Sequence, residues 1–564
     1  MKYDWLESAV FYEVYPTSFY DSDGDGTGDI RGIIEKLDYI KDLGANGIWL
    51  NPCFESPFQD GGYDISDYYT AGKKFGTNKD MKELFEKAEK MGIKILLDLV
   101  MGHTSIRHPW FEESQKDEKN EHTKTYIWKP MDNPAESKSG QFLCGMSERP
   151  EMFRVNYYSI QPAINYGYYK PKEGWQDAAN APAPMKNRER LIDVCKFWLA
   201  MGAAGFRVDM ANHMIKNDPK RKGNIEFWND VIPRIKAEFP DAVFVSEWFN
   251  PSQSVQKSSF DIDFSSGYFL YYKWCGNNLE NFSKTAYLGE NGEDFIPAIT
   301  QIYAAGAKVK KRGYQAITLG NHDRHRMSLG RSFDQMKTAF AFHLTMPHVP
   351  FIYYGDEIGM SYNRDIKSKD GGYHRTGSRT PMQWTNGKNR GFSTADEKDL
   401  YLPVEKFGTE TAENEKGKAG GADKTAADKI TESKIAENGA AESKSVNINN
   451  AAAHSVESQT GDKNSLLETV RELIGLKRKL KCLRAESPYK LLSFNLSGLP
   501  HIYKRTSDAD EVIVILYPKK EEKTFSIKKL GDISGYKIIS NNMEFQGEKC
   551  LSKGEGFAVL YRGI

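Results

Sequence analysis

The sequence predicts an α/β protein whose larger part is a (β/α)8 barrel, and three observations support that prediction. Short runs of apolar and β-branched residues alternate with amphipathic stretches through the first two thirds of the 564 residues. Several runs end in a polar cluster, as barrel strands do at the face where catalytic groups collect. A long insertion interrupts the alternation after the third run, and the chain ends in short alternating strands.

Eight segments have the composition and length of buried parallel strands. They are residues 9–15, 47–51, 94–100, 205–209, 243–247, 260–264, 316–320 and 350–354. The stretches between them have helical periodicity, and in residues 33–43 the apolar side chains recur on one face. Eight strand–helix units are what a (β/α)8, or TIM, barrel requires.

Two breaks in the alternation divide the chain into domains. Residues 103–175 are rich in Pro, Gly, Tyr and Trp and too long for a plain loop, which predicts an inserted subdomain after strand 3. Residues 405–463 contain almost no large apolar side chains, which predicts a low-complexity, mobile surface insertion. The remaining predicted units are the barrel at 1–102 and 176–404, its last helix at 464–481, and a C-terminal antiparallel β-domain at 482–564.

Charge and cysteine content exclude several classes of protein. Lys and Arg together number 77, as do Asp and Glu, so no basic excess predicts binding to nucleic acid or to an anionic membrane. No segment has the features of a secretory signal or a membrane span. The six scattered cysteines resemble buried thiols of a reducing compartment, so we expect a cytoplasmic protein. We expect a monomer or a weak homo-oligomer.

Two acidic residues lie where predicted strands end. Asp209 ends the strand in GFRVDMANH, and Arg207 precedes it by two residues and therefore points the same way. We expect this cation to lower the pKa of Asp209 and keep it ionised, as a nucleophile requires. Glu247 ends VFVSE and is followed by Trp248, whose ring we expect to raise the pKa of Glu247, as a general acid requires.

Further polar clusters follow the third and seventh strands. DLVMGH places Asp98 and His103 after strand 3, and LGNHDRHR places His322 and Asp323 after strand 7. A single strand-terminal Asp or His is more often structural than catalytic. Four clusters in order at successive strand ends are more specific, because retaining cleavage of a glycoside needs two carboxyl groups at the mouth of one site.

These motifs resemble the conserved regions of the α-amylase superfamily, glycoside hydrolase family 13. DLVMGH, GFRVDMANH, SEW and GNHD resemble its four regions, and QPAINY resembles the motif of its inserted domain. The resemblance implies that Asp209 is the nucleophile, Glu247 the general acid/base and Asp323 the transition-state stabiliser. It implies further roles around the sugar: hydrogen bonds from Arg207, His103 and His322, stacking by Tyr63, and a leaving-group contact from His213.

The loop DSDGDGTGDIRG predicts a metal site. Its alternate carboxylates and glycines make a cage for a hard cation, although Gly32 stands where an EF-hand has its last Glu. The same loop binds Ca2+ in the related enzymes, with a main-chain oxygen near Thr27. The predicted ligands are therefore Asp21, Asp23, Asp25, Thr27 and Asp29.

Two other motifs resemble the branch that contains α-glucosidases, oligo-1,6-glucosidases and trehalose synthases. In GGYDISDY and SRTPMQW, the resemblance implies that Asp64 and Arg379 clamp the terminal glucose. We expect a retaining hydrolase of short α-glucans, the maltooligosaccharides, that forms a covalent glucosyl-enzyme intermediate. A transglycosylase or isomerase such as trehalose synthase, an oligo-1,6-glucosidase and a non-enzymatic relative are the alternatives, and the retained carboxylates disfavour the last.

Overall fold

A closed barrel of eight parallel strands forms the centre of the molecule. The computed structural model describes residues 4–131, 141–145, 147–265, 312–329, 331–405, 454–493 and 499–564. The barrel strands are β1 Phe11–Val14, β2 Gly47–Leu50, β3 Lys94–Leu99, β4 Gly205–Val208, β5 Val243–Ser246, β6 Ile262–Phe264, β7 Tyr314–Thr318 and β8 Val349–Tyr353. Each pairs with its sequence neighbours, and β8 closes on β1. All eight overlap the predicted strands, so the predicted barrel is confirmed.

Helices connect the barrel strands on the outside. They are Ile30–Glu35 and Leu37–Leu43, Asn78–Lys90, Pro182–Met201, Lys222–Lys236, Pro251–Ser254, Phe333–Thr345 and Leu466–Lys479. The helix Asn78–Lys90 shows why such segments fold locally. Thr77 and Asp80 cap its first turn reciprocally, and its buried residues recur at helical spacing from Met81 to Ala88. The short helix Asp4–Glu7 precedes β1.

Large apolar side chains fill the inside of the barrel. Phe11 and Phe351 stack with ring centroids 4.6 Å apart, and Trp49 packs edge-on against Phe351. The strands approach closely at Gly205, where a Cβ would lie 2.0 Å from the carbonyl oxygen of Val243. Since the inside is packed, the functional side chains lie beyond it, at the carboxyl ends of the strands.

The segment between β3 and β4 forms a small unit of its own above the barrel. It contains the helix Pro109–Ser114 and a three-stranded antiparallel sheet of Trp128–Pro130, Phe142–Leu143 and Glu151–Arg154. Its QPAINY segment returns to the barrel, where Ala163 forms a β-bridge with His103. The insertion after strand 3 that the sequence predicts is therefore present, and it forms one wall above the strand ends.

An antiparallel sheet follows the last barrel helix, as predicted. Its strands are Tyr489–Leu491, His501–Thr506, Asp510–Tyr517, Lys523–Ser526, Lys537–Gln546 and Lys549–Gly563. The sheet packs on the barrel helix Phe333–Thr345 through buried polar contacts. Arg505 donates to the carbonyl oxygen of Thr345, and Ser332 donates to Glu555 at 2.7 Å.

The predicted low-complexity insertion, residues 405–463, extends too far at its C-terminal end. Residues 454–463 are described and packed, with a short helix Val456–Gln459 and a buried Ser455, because Val456 and Glu457 bond to the main chain of Gln383 and Trp384. Residues 406–453 lie outside the described residues. The described residues on either side of them are in contact, since His454 Nδ1 lies 3.3 Å from Glu405 Oε1.

The described cysteines are all free thiols. Cys53, Cys195, Cys482 and Cys550 are buried free thiols and Cys144 is an exposed one, while Cys275 lies outside the described residues. In the described ranges, no helix has the length and apolar character needed to cross a membrane.

Candidate active site

A cavity of about 610 Å3 opens at the carboxyl ends of the barrel strands, a volume in the range of small-ligand sites. It brings together residues from distant parts of the chain. Those that the sequence analysis selected are Tyr63, His103, Arg207, Asp209, His213, Glu247 and Asp323. The three predicted catalytic carboxylates therefore face one cavity.

The register of β3 and β4 places a buried ion pair at the base of the cavity. Asp98 and Arg207 are direct partners across the two strands, so their side chains point the same way. Asp98 Oδ1 lies 3.0 Å from Arg207 Nη1, and the indole of Trp49 donates to Asp98 Oδ2 at 3.1 Å. The guanidinium is thereby fixed before any ligand binds.

Arg207 joins the two carboxylates that follow β4 and β5. Its Nη1 lies 3.0 Å from Asp209 Oδ1, and its Nη2 lies 2.9 Å from Glu247 Oε2. The backbone N–H of Met210 donates to the same Glu247 oxygen at 2.9 Å. Met210 has a positive φ of 44°, which a non-glycine residue seldom adopts and which is common at functional sites.

The pKa of Asp209 differs from the expectation. Burial and then the neighbouring Glu247 carboxylate raise the pKa of Asp209 well above its usual range, although Arg207 opposes them. The reason is that one guanidinium serves several carboxylates, so it does not compensate fully for lost hydration. The protonation of Asp209 therefore depends on the charges of the groups around it.

Trp248 does not supply the apolar contact to Glu247 that the sequence suggested. Neighbouring positions of an extended chain point in opposite directions, and Trp248 points outward. Its indole N–H donates to Gln253 at 3.0 Å, and its ring packs against Phe260. Trp248 is therefore part of the core between barrel and helices.

Asp323 lies opposite, among cations. Arg375 Nη1 lies 2.9 Å from Asp323 Oδ1, and Arg379 Nη2 lies 3.3 Å from the same oxygen. Although burial opposes it, His322, Arg375 and Arg379 hold the pKa of Asp323 well below its usual range. Asp323 is therefore ionised at neutral pH.

The histidines and Tyr63 differ in their exposure to the cavity. His103 and His213 line it, and burial lowers the pKa of each to about 4, so both are neutral. Tyr63 lines it too. His322 is fully buried directly behind Tyr63, with its Nε2 2.7 Å from the tyrosine oxygen. The expected contact of His322 with sugar is therefore not formed from the cavity wall, because Tyr63 lies in front of it.

The acidic loop before the helix Ile30–Glu35 gathers three of the predicted metal ligands. Asp21, Asp23 and Asp29 each offer a carboxylate oxygen within 4.8 Å of the others. Asp25 is not part of this group, and its Oδ1 accepts the backbone N–H of Thr27 at 2.7 Å. The oxygen donors and their spacing suit a hard cation such as Ca2+.

Comparison with known proteins agrees with this geometry. The profile of the family described as "Alpha amylase, catalytic domain" matches residues 13–421. The chain belongs to the α-amylase family. It is 31% identical over 453 residues to "Trehalose synthase/amylase TreS" of Mycobacterium tuberculosis, a match that covers 71% of this chain and 69% of the relative. It is 32% identical over 455 residues to the oligo-1,6-glucosidase of Parageobacillus thermoglucosidasius, covering 71% and 78%.

Another relative and one solved structure complete the comparison. Alpha-amylase 3 of Dictyoglomus thermophilum is 33% identical over 403 residues, covering 69% of this chain and 70% of that one. The trehalulose synthase MutB of Pseudomonas mesoacidophila has a TM-score of 0.75 at 22% identity, with all of both chains covered, and so shows the same fold. The protein is thus a glycoside hydrolase of the α-amylase family.

Within this α-amylase-family site, the predicted clamp of Asp64 and Arg379 is wrong. Neither side chain lines the cavity. Asp64 accepts the backbone N–H groups of Gln59 and Asp60, each at 3.0 Å, so it holds its own loop together. Arg379 donates from Nε to the carbonyl oxygen of His322 at 2.9 Å and reaches Asp323 from behind.

An Asp–Arg pair does line the cavity, but it consists of Asp60 and Arg375, neither of which was predicted from the sequence. Arg375 Nη2 lies 3.0 Å from Asp60 Oδ1, while its Nη1 contacts Asp323. Both residues line the cavity. A signal was present in the sequence, since a second Asp and a second Arg stand just before the two motifs, each four residues before the residue selected. Only the two glycines after Asp60 and the 3-10 helix Tyr373–Ser378 decide which of the two faces inward.

Proposed function

We propose that the protein is a retaining hydrolase of α-glucosidic bonds in short α-glucans, with maltooligosaccharides as its substrates. The observation that carries the proposal is the guanidinium of Arg207, which contacts both Asp209 and Glu247 at the base of the cavity. Retention requires two carboxyl groups beside one anomeric carbon, one as nucleophile and one as acid/base.

In the first step, Glu247 gives its proton to the glycosidic oxygen while the Asp209 carboxylate attacks the anomeric carbon. The bond to the leaving sugar breaks, and a glucosyl ester forms on Asp209. This step needs Asp209 as the carboxylate and Glu247 as the acid. The ionised Asp323 faces the positive charge that develops on the sugar ring in the transition state.

In the second step, Glu247 acts as a base. It takes a proton from a water molecule, whose oxygen attacks the anomeric carbon, and Asp209 leaves as the free carboxylate. Two inversions give net retention. Asp60 and Arg375 close one end of the cavity with polar groups that suit the hydroxyls of a terminal glucose, which supports exo action.

The stereochemistry of the product tests this mechanism. We expect that 1H NMR of the sugar released from maltotriose shows the α-anomer first, and that Asp209→Asn lowers kcat by at least about 10³-fold. A first-formed β-anomer, or unchanged activity of Asp209→Asn on an aryl α-glucoside, would contradict the assignment.

A second candidate is an isomerase that converts maltose to trehalose. The 31% identity to the mycobacterial trehalose synthase/amylase favours it. Both reactions use the same covalent intermediate, and they differ in whether water or released glucose attacks it. Products from maltose, isomaltose, trehalose and sucrose distinguish the candidates: trehalose from maltose identifies the isomerase, glucose alone the hydrolase, and rapid cleavage of isomaltose an oligo-1,6-glucosidase.

We propose further that Asp21, Asp23 and Asp29 bind Ca2+, with Asp25 and the main chain at Thr27 as the remaining expected ligands. The three gathered carboxylates support this. The ion would neutralise the negative charge of the acidic loop. This loop contacts a later segment of the chain, since the backbone N–H of Tyr401 donates to the carbonyl oxygen of Gly26 at 2.9 Å. The role of the ion is structural, and no step of catalysis passes through it.

Calcium dependence of thermal stability tests this site. We expect EGTA to lower Tm by several degrees, because a ligand present at about 100 times its Kd stabilises by about 2.7 kcal/mol. Asp23→Asn should reduce the calcium effect, since Asp23 is exposed and its other contact is the Asp25 N–H. Asp532→Asn, in the C-terminal domain, serves as the control. Equal calcium effects in both variants would contradict the site.

The cytoplasmic location and the monomeric or weakly oligomeric state remain proposals. The buried free thiols support a reducing compartment. Cell fractionation and sedimentation of the purified protein test the two proposals separately.

A further inference from the structure

A line of four side chains runs behind the cavity wall from β1 to β3. Glu13 Oε1 lies 2.6 Å from His322 Nδ1, and His322 Nε2 lies 2.7 Å from the Tyr63 hydroxyl. The same hydroxyl lies 2.9 Å from Asp98 Oδ2. Glu13 and His322 have no exposed surface, and Glu13 does not line the cavity.

The number of protons in this line can be counted. Each contact is short enough to be a hydrogen bond, and each hydrogen bond needs one proton between its two heavy atoms. A neutral tyrosine supplies one proton and a neutral histidine supplies one. Three contacts therefore require a third proton, which belongs to Glu13, to Asp98, or to His322 as a second N–H.

The surroundings of Asp98 place the third proton at the other end of the line. Arg207 and Trp49 both donate to Asp98, so an added proton there would replace an attraction with a neutral acid beside a cation. Burial raises the pKa of Asp98, but the donors Arg207, Tyr63 and Trp49 oppose that rise. With Asp98 ionised, Tyr63 donates to it, and His322 Nε2–H must donate to Tyr63.

Asp323 supports the same arrangement. Its Oδ2 lies 3.5 Å from His322 Nε2. An ionised carboxylate at this distance favours an N–H on Nε2 over a bare nitrogen. The third proton then lies between Nδ1 of His322 and Glu13.

We propose that Glu13 is a positioning residue that holds a proton against Nδ1 of His322, so that His322 Nε2–H always donates toward Tyr63 and Asp323. Asn51 lies beside this pair, since its Nδ2 is 3.2 Å from both Glu13 Oε1 and His322 Nδ1. Tyr63 and Asp323 line the cavity. Glu13 touches no substrate and acts through these two residues.

Burial favours the proton on Glu13 rather than on the histidine. It raises the pKa of Glu13 well above its usual range and lowers the pKa of His322 to about 3. A neutral acid beside a neutral ring also avoids a charged pair that burial makes costly.

The 15N chemical shifts of histidine-labelled protein test the proposal directly. The signals of His322 are identified by their loss in His322→Gln and, independently, by their change in Glu13→Gln. We expect a protonated Nε2 and an unprotonated Nδ1 at the pH where the enzyme is active. A proton carried by Nδ1 would overturn the proposal. This measurement needs no activity, so it stands apart from a failure of the proposed glycosidase function.

Two variants test the positioning role, which rests on the proposed function. Glu13→Gln keeps an N–H donor for Nδ1, and we expect kcat/KM close to that of the wild type. Glu13→Met removes the donor, and we expect kcat/KM to fall roughly tenfold to a hundredfold, as for other residues that orient a functional group. Equal kcat/KM in the two variants would overturn the role.

A matched control separates positioning from stability. Glu357 is another fully buried glutamate, but it accepts from Tyr12 and Tyr39, outside the site. We expect Glu357→Gln to lower Tm and to leave the His322 signals unchanged. If Glu13→Met does not fold, the spectra of the wild type and of Glu13→Gln still decide the proposal.

Discussion

Asp60 and Asp64 lie four residues apart, and the contacts of their oxygens give them different functions. Asp60 accepts from the side chains of Gln161 and Arg375 at the cavity wall. Asp64 accepts from Ser56 and from two backbone N–H groups inside its loop. Burial raises the pKa of Asp60 to about 6, although Arg375 opposes it, so Asp60 is mostly ionised at neutral pH.

We expect Asp60→Asn and Asp64→Asn to fail in different ways. Asp60→Asn should reduce kcat/KM by about 10²-fold or more, because Arg375 loses a charged partner and the sugar loses an acceptor. Its Tm should change little. Asp64→Asn should lower Tm, because an amide cannot accept all three loop donors. Kinetics and thermal unfolding of both variants are the measurement, and an exchange of the two effects would restore Asp64 as the clamp.

The sequence predicted the three carboxylates that the structure places on one cavity, but not the pair of Asp60 and Arg375, for a physical reason. Asp209, Glu247 and Asp323 are placed by barrel strands, and a strand end fixes the direction of a side chain within one or two residues. Asp60 and Arg375 belong to loops, where two left-handed glycines or a 3-10 turn set the direction. A contact such as Arg375 with Asp60 spans 315 positions of the chain and has no local pattern.

At the level of elements, one loop positions Arg375, whose guanidinium contacts Asp323. The loop that leads to Arg375 is held at Lys369 and Asp370. The ammonium of Lys369 lies 3.5 Å above the ring of Tyr401, and the hydroxyl of Tyr401 donates to Asp370. The backbone of Tyr401 is bonded to Gly26 of the acidic loop. Tyr401 therefore connects the proposed metal site with the loop of Arg375.

We expect Tyr401→Phe to raise KM about fivefold with a smaller change in kcat. The variant loses one hydrogen bond to a carboxylate, a contact worth about 1.5–3 kcal/mol, and part of that loss loosens the loop of Arg375. Tyr536→Phe is the matched control, since Tyr536 donates to Glu511 in the C-terminal domain. Steady-state kinetics compare the two variants, and equal KM values would disprove the connection.

The barrel elements were predictable because each has its own local signal. The eight strands are short apolar runs, and the helix Asn78–Lys90 has a capping box at Thr77 and Asp80. The packing of residues 454–463 was not predictable, because these residues are mostly polar. Those residues are ordered by bonds to Gln383 and Trp384, more than 70 positions earlier, and composition does not record such contacts.

At the scale of the whole molecule, Glu405 joins segments that are distant in the sequence. Its carboxylate contacts His454 on the returning chain and Gln383 on the barrel. Burial would raise the pKa of Glu405, but His454 and Gln383 lower it to about 2, from an ordinary value of 4.5. The folded protein therefore binds a proton at Glu405 more weakly than the unfolded chain.

We expect Glu405 to contribute roughly 1–3 kcal/mol to stability at neutral pH. Because its folded pKa is depressed, this contribution is complete above about pH 4.5 and is lost as pH falls toward 2. The difference in free energy of unfolding between wild type and Glu405→Gln should therefore shrink between pH 5 and pH 3. A double-mutant cycle with His454→Gln isolates the pair, and a difference independent of pH would contradict the assignment.

The contact between Glu405 and His454 holds these two residues together, and it does not depend on the number of residues between them. The entropy cost of loop closure rises by only about 0.6 kcal/mol for each doubling of loop length, so we expect a change in the number of residues between 405 and 454 to alter the free energy of unfolding little. The same junction is a natural splice point. We expect a reporter protein whose own termini lie close together to be tolerated as an insertion there, with the barrel strands unchanged.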